Sequence, residues 1–212
     1  MSDQPEATDP DYGKHGGFPR YDIAEPGPGF ANFVTAMRRL QDLAVSTDLG
    51  DDDKWQEVAG RAEELVESLD PFQVPEGVAP AGRAPSLPGM GSILMPPWNM
   101  AKFDPDGVEM RGHFSRYYVG GNMAVHGGVI PLVFDWLCGM VVHAAARPIS
   151  RTAFLKVDYR AVTPIDTPLV VRGRVDSAEG RKAFISGELV DEDENLLAEV
   201  HALMVRLLPG QP

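Results

Sequence analysis

The chain contains a single cysteine, Cys138, among 212 residues. An intramolecular disulfide is therefore impossible, and so is any CxxC metal or redox site. Basic side chains are few: 19 Lys and Arg stand against 31 Asp and Glu, for a formal charge of −12. Nucleic acids and anionic membrane surfaces both select for clustered Lys and Arg, so neither is an expected partner. No apolar stretch is long enough to span a bilayer. The most apolar one, Val129–Val142, covers 14 positions and contains Asp135, a length more typical of a buried core helix. The opening MSDQPEATDP is acidic and lacks an apolar h-region, which predicts no secretory signal and a cytoplasmic location. Several catalytic signatures are missing too: Gly-x-Ser-x-Gly, His-Glu-x-x-His, Gly-x-Gly-x-x-Gly and the P-loop. Their absence argues against a serine-hydrolase elbow, a zincin helix and the common nucleotide loops. The five histidines are scattered, so no metal site is expected.

What is present divides near residue 90. Residues 1–90 carry 17 acidic and 7 basic side chains, whereas residues 91–212 carry 14 and 12. Residues 1–29, rich in Pro, Gly and acid and without periodicity, read as a flexible tail. Phe30, Phe33, Val34, Met37, Leu40 and Leu43 recur at helical spacing. So do Trp55, Val58, Ala62, Leu65, Val66 and Leu69, which place a second helix over Asp52–Leu69. Asp51 or Asp52 is its candidate cap, and Asp70-Pro71 its stop. Residues 30–70 are expected to pair as a helical hairpin, followed by a proline-rich linker over 71–90 and a main domain over 91–208.

Beyond Trp98 the pattern changes. Val108–Tyr118 reads as a strand after the turn Asp104-Pro105-Asp106-Gly107. A glycine-rich stretch from Gly120 to Gly128 leads into the apolar helix at about 128–145, where Pro131 fits only within the first turn. Four strands follow: Thr152–Val162, Leu169–Ser177, Lys182–Val190 and Leu196–Leu208. Connections this short predict antiparallel hairpins. In the first strand Ala153, Leu155, Val157 and Tyr159 alternate against Thr152, Phe154, Lys156 and Asp158. A helix apolar nearly all round must be wrapped by sheet. The expected fold is therefore α+β, an antiparallel sheet around one long central helix, with an N-terminal helical extension.

Asp135 is the residue that fits this core least. Its neighbours at three and four positions, Pro131, Leu132, Cys138 and Gly139, include no cation. A carboxylate there lies on the helix's one wet edge, pairs with a distant arginine, or is kept for function. The second feature is His126-Gly127-Gly128 at the start of the same helix. Free amides at a helix N-terminus carry partial positive charge and bind anions. They suit the oxyanion of a thioester under attack, and equally a tight glycine turn into a helix.

The segment VHGGVIPLVFDWLCG resembles the signature of PaaI-like acyl-CoA thioesterases of the hotdog superfamily. The resemblance runs on through TAFLKVDYR from Thr152, Thr163-Pro164 and Glu179-Gly-Arg-Lys, covering about 90–208. It implies a hotdog fold and the hydrolysis of acyl-CoA to free acid and CoA, without metal or cofactor beyond the CoA of the substrate. It assigns Asp135 as general base or nucleophile, and the Gly127 and Gly128 amides as carbonyl-polarising donors. Thr152 matches a hydroxyl residue that bonds the attacking water or the carboxylate. His126 reads as a loop and capping residue, and Asn122 matches an asparagine found before the His in some members. The Gly-Pro-Pro-Gly common before that His is replaced here by Gly-Gly-Asn-Met-Ala.

Spacing adds a consequence of its own. Gly127 and Asp135 are eight residues apart, which is about 12 Å of helix. A nucleophile and an oxyanion donor must both lie ~3 Å from one carbonyl. One chain cannot supply both, so the expected assembly is a homodimer, or a homotetramer built from two. Arg172, Arg174, Arg181 and Lys182 are the candidate CoA-phosphate ligands, with Lys156 and Arg160 a second pair; a solvated basic face is the alternative. Trp136, Met140 and Phe154 are candidates to line the acyl chain. The competing function is a non-catalytic acyl-CoA or acyl-carrier binding module. A hotdog dehydratase fits less well, because its catalytic-His pattern is missing.

Overall fold

The computed structural model describes residues 22–208, 210 and 211; most of the expected tail, residues 1–21, lies outside them. Three helices form: α1 (Pro28–Ala44), α2 (Asp52–Leu69) and α3 (Val129–Ala144). Eight strands accompany them: β1 (Asn99–Asp104), β2 (Gly107–Gly112), β3 (Val119–Gly121), β4 (Ala124–Val125), β5 (Ser150–Tyr159), β6 (Leu169–Glu179), β7 (Lys182–Asp191) and β8 (Leu196–Arg206). The main sheet runs β1-β2-β6-β7-β8-β5, antiparallel throughout, and β3-β4 is a separate small hairpin. No described helix is long and apolar enough to cross a membrane.

The sheet curls around α3, the hotdog arrangement. Ile130, Val133, Phe134, Leu137, Cys138, Val141, Val142 and Ala144 are buried against it. The closest approach is made by Leu137. Gly173 and Gly187 face each other on β6 and β7, and a Cβ added to either would stand 2.9 Å from Leu137 Cδ2. A larger residue at either position would force Leu137 or the backbone to shift, so this glycine pair lets α3 seat close to the sheet. Trp98, Phe114, Met110, Leu169, Ile185 and Leu189 fill the rest of the core.

Two expectations about the strands change. Val108–Tyr118 is not one strand: β2 stops at Gly112, whose Cα packs on the Trp98 ring. Phe114 and Tyr118 then turn inward, Phe114 against the Trp98 ring and Tyr118 edge-on to Phe114. β1, paired to β2 through the Asp104–Gly107 turn, was not anticipated. Its sequence NMAKFD is mostly exposed at the sheet margin and shows no apolar alternation.

The N-terminal helices differ sharply from each other. α1 is stitched to the domain. The half-buried Arg38 donates to the carbonyls of Met95 (2.8 Å), Ser92 (2.7 Å) and Pro88 (3.2 Å). Asp42 accepts the Tyr117 amide at 2.8 Å, and Val34 is buried. α2, capped by Asp51, which accepts from the Asp53 amide at 3.0 Å, buries none of its residues. The expected hairpin packing is not seen: α1 bonds the segment around 88–95 and packs by the 116–118 turn, and α2 buries nothing. That segment is also less of a linker than its prolines suggest. Ala84 is fully buried, and Gly82 and Ala84 both donate to the Met90 carbonyl.

The core makes two predictions. Gly187→Ala should destabilise the chain by about 1–3 kcal/mol in urea unfolding, because the new methyl meets Leu137 and a backbone carbonyl. Burial pushes the Cys138 thiol up to about 12, helped by the charge of Asp135. Native protein should therefore leave DTNB uncoloured, and release one thiol per chain once unfolded.

Candidate active site

The sheet covers α3 on all sides but one. The uncovered stripe follows helical spacing through Gly128, Leu132, Asp135, Gly139 and His143, of which Gly128, Asp135 and His143 are exposed in the single chain. A Cβ added to Gly139 would meet nothing within 4 Å. Of the readings open for Asp135, the wet edge is the observed one: it forms no ion pair among the described residues. Its Oδ1 accepts the Thr152 hydroxyl at 2.6 Å.

Thr152 reaches that carboxylate because of a bulge. In simple alternation it shares a face with Phe154 and Lys156. Instead the register of β5 against β8 shifts between Thr152 and Phe154, so Thr152 pairs with Met204 and Phe154 with Leu203. Ala153 is the extra residue. The bulge moves Thr152 to the helix-facing side with Leu155, Val157 and Tyr159, where its hydroxyl also lies 3.3 Å from Met204 Sδ.

At the other end of the helix, His126 ties the entry loop. Its amide donates to the Tyr118 carbonyl at 2.8 Å and its carbonyl accepts from Val129 at 2.9 Å. Its Nδ1 accepts the Gly128 amide at 3.1 Å. Gly120 makes this possible, since a Cβ there would sit 2.7 Å from the His126 Cα. Gly128's amide is therefore engaged within the loop, a departure from its expected role as a free donor. The Gly127 amide donates to no protein atom among the described residues, and it is the open donor at this tip. The Gly127 carbonyl accepts the Tyr159 hydroxyl at 2.7 Å. Sequence reading placed Tyr159 only in a strand alternation. A tyrosine seven residues beyond Thr152 on the same strand was the available signal.

Other candidates stand elsewhere. Asn122 and Met123, with φ of 49° and 59°, form the two-residue turn of the β3–β4 hairpin, a conformation asparagine tolerates. Arg172 and Arg174 lie on the sheet face away from α3, because their neighbour Gly173 is the residue aimed at Leu137. β7 and β8 separate their strand from β5. Arg172 is held by Glu188 at 2.6 Å and by Glu194. Those bonds, Glu194's first, raise its pKa and lower that of Glu194. Arg174 stands 3.5 Å from Asp176. Arg181 spends its guanidinium on the Arg206 carbonyl at 3.0 and 2.9 Å and on Gln211 at 3.1 Å, leaving Lys182 exposed beside it. Lys156 bonds Asp158 at 2.8 Å and Arg160 bonds Glu199. None of these cations joins the Asp135 edge within one chain. Phe154, 48% exposed, is on the outer face after the bulge, whereas Trp136 and Met140 pack half-buried beside the core.

Comparison with known proteins places this geometry in context. Residues 122–198 match the model of the thioesterase superfamily. The rat acyl-coenzyme A thioesterase THEM4 is 36% identical over 89 residues, which are 42% of this chain and 38% of that protein. The mouse THEM4 is 34% identical over the same shares. The chain thus spans under two fifths of the length of these relatives. A crystal structure of a thioesterase superfamily protein superposes with a TM-score of 0.74 at 24% identity, covering 86% of this chain and 98% of that one. That likeness speaks for the fold, and its extent takes in more than residues 91–208.

The Thr152 bond makes a prediction. Thr152→Val should fold with its thermal midpoint little changed and leave Asp135 Oδ1 without its donor. Any activity that depends on Asp135 should fall about tenfold or more, with Thr152→Ser restoring most of it. Equal activity in all three proteins would remove Thr152 from the site.

Proposed function

We propose that the chain, whose residues 122–198 match the thioesterase superfamily, hydrolyses acyl-CoA thioesters to free acid and CoA. The observation that carries the reading is the exposed Asp135 carboxylate, oriented by Thr152, on a helix whose own start presents an open Gly127 amide. In the proposed step Asp135 takes a proton from water as the water oxygen bonds the thioester carbon. The carbonyl electron pair moves onto its oxygen, which the Gly127 amide and the α3 dipole stabilise. Collapse of this intermediate breaks the carbon–sulfur bond, and the departing CoA thiolate recovers the proton from Asp135. Atoms and charge balance, and no metal takes part.

The site needs two chains. Asp135 and Gly127 of one helix are about 12 Å apart along its axis, so the tip of one α3 must face Asp135 of a second copy. Two features support this assembly. The stripe through Leu132, Asp135 and Gly139 is open at Gly139, where an added Cβ would meet nothing within 4 Å. In addition β5, ten residues long, is one of the sheet's two margins and pairs on one side only among the described residues, a template that folded proteins cover. Pairing β5 with its copy covers that margin and brings each Thr152–Asp135 pair toward the partner's tip. Cations for the CoA phosphates then come from whichever surface the second copy brings near, with exposed Lys182 the least committed of those named.

The test is thiol release from a panel of acyl-CoA esters. Asp135→Asn should remain a dimer by light scattering and lose turnover by about a thousandfold or more. In oxygen-18 water under single turnover, the label should enter the product acid and not Asp135. Tight CoA-ester binding by the wild type with no thiol release would instead establish a binding module. Full activity in a monomer would overturn the two-chain site.

A further inference from the structure

The peptide unit joining Gly127 to Gly128 is gripped at both ends by side chains. Its carbonyl accepts from the Tyr159 hydroxyl at 2.7 Å, and its N–H donates to His126 Nδ1 at 3.1 Å. A peptide plane between two glycines rotates at little steric cost, so nothing in the glycines themselves selects one orientation. The two side chains do. The carbonyl and amide of a trans peptide point in opposite directions. Holding the Gly127 oxygen against β5 therefore keeps it from swinging to the other side of the loop. A carbonyl oxygen swung to that side would repel an oxyanion gathered at the start of α3.

Tyr159 has little else to do in the single chain. Its side chain is 54% exposed, so it does not fill the core. It stands on the helix-facing side of β5, in register with buried Ala198. A Cβ on Gly127 would meet its hydroxyl at 3.7 Å and its ring at 3.9 Å, so ring and loop are in ordinary contact. The same strand thus serves both sites of the proposed dimer, with Thr152 on the carboxylate of one and Tyr159 on the loop of the other.

We infer that Tyr159 is a positioning residue for the proposed hydrolysis: its hydroxyl holds the Gly127 carbonyl against β5, so that at the tip of α3 the thioester oxygen meets the Gly127 amide of the preceding peptide and not this carbonyl. The inference rests on the thioesterase reading of this site. Tyr159→Phe removes only the hydroxyl. It should lower kcat about tenfold or more with KM within about twofold, since the loss falls on the charge that develops in the transition state. The thermal midpoint should stay put. His126→Ala releases the other end of the same peptide, so its loss should add little to that of Tyr159→Phe in the double variant. In nitrogen-15-labelled protein, the Gly127 and Gly128 amide signals of Tyr159→Phe should shift or broaden and exchange faster with deuterium.

Wild-type kcat in Tyr159→Phe would overturn the inference. So would amide signals and exchange identical to wild type, a measurement that reads the loop whether or not the chain turns over a thioester. Failure of the wild type to hydrolyse any ester of the panel would sink the thioesterase reading instead, and the two failures are told apart by the amide signals.

Discussion

Leu137 enters the sheet between Gly173 and Gly187, and the depth of that contact governs the rest of the molecule. With the helix seated so deeply, the curled sheet reaches around most of its circumference and leaves a single stripe open. Every charged or polar side chain of α3 has to sit on that stripe, and Asp135 and His143 do. The carboxylate is therefore placed in the middle of a long apolar element without being desolvated by it. The arrangement provides a fixed, well-supported acid on an otherwise apolar helix, which a loop would hold less firmly.

The second constraint is the bulge at Ala153. Were β5 regular, Thr152 would point outward beside Lys156, away from Asp135. One inserted residue reverses the strand's first part and leaves its second part unchanged. Hence Thr152 meets Asp135 while Leu155 and Val157 still pack inward and Tyr159 still meets the helix start. The strand runs back alongside the helix, so its end at Tyr159 reaches the helix start. Bulges next to functional sites commonly re-aim one side chain in this way.

Much of this was legible in the sequence because the relevant patterns are local. The apolar run with its one acid, the glycines before it and the four alternating strands each declare themselves within a dozen residues, and the element order follows. What stayed hidden depends on contacts between distant segments. β1 is a margin strand whose side chains mostly face solvent, so it carries no alternation to detect. The Thr152 bulge is a matter of register against β8. The expected helical hairpin assumed that two amphipathic stripes must meet, whereas Arg38 found its partners in the carbonyls around 88–95. The arginines on β6 looked available because their acidic partners, Glu188 and Glu194, are distant in sequence and adjacent only in the folded sheet.

The attachment of α1 bears on the site as well. Asp42 holds the amide of Tyr117, the next residue's carbonyl holds the amide of His126, and His126 in turn holds Gly128. Arg38 lies against Tyr118 closely enough to oppose the burial that raises the tyrosine's pKa. A continuous set of bonds thus runs from the N-terminal helix through the 117–118 turn to the back of the glycine loop, and Tyr159 meets the same loop from the sheet. The loop is braced from two sides, by the 117–118 turn and by β5. α2 takes no part in this brace, since it buries nothing in the single chain. The two helices of the extension accordingly have separate physical roles: α1 belongs to the framework that shapes the loop, and α2 stands apart from it.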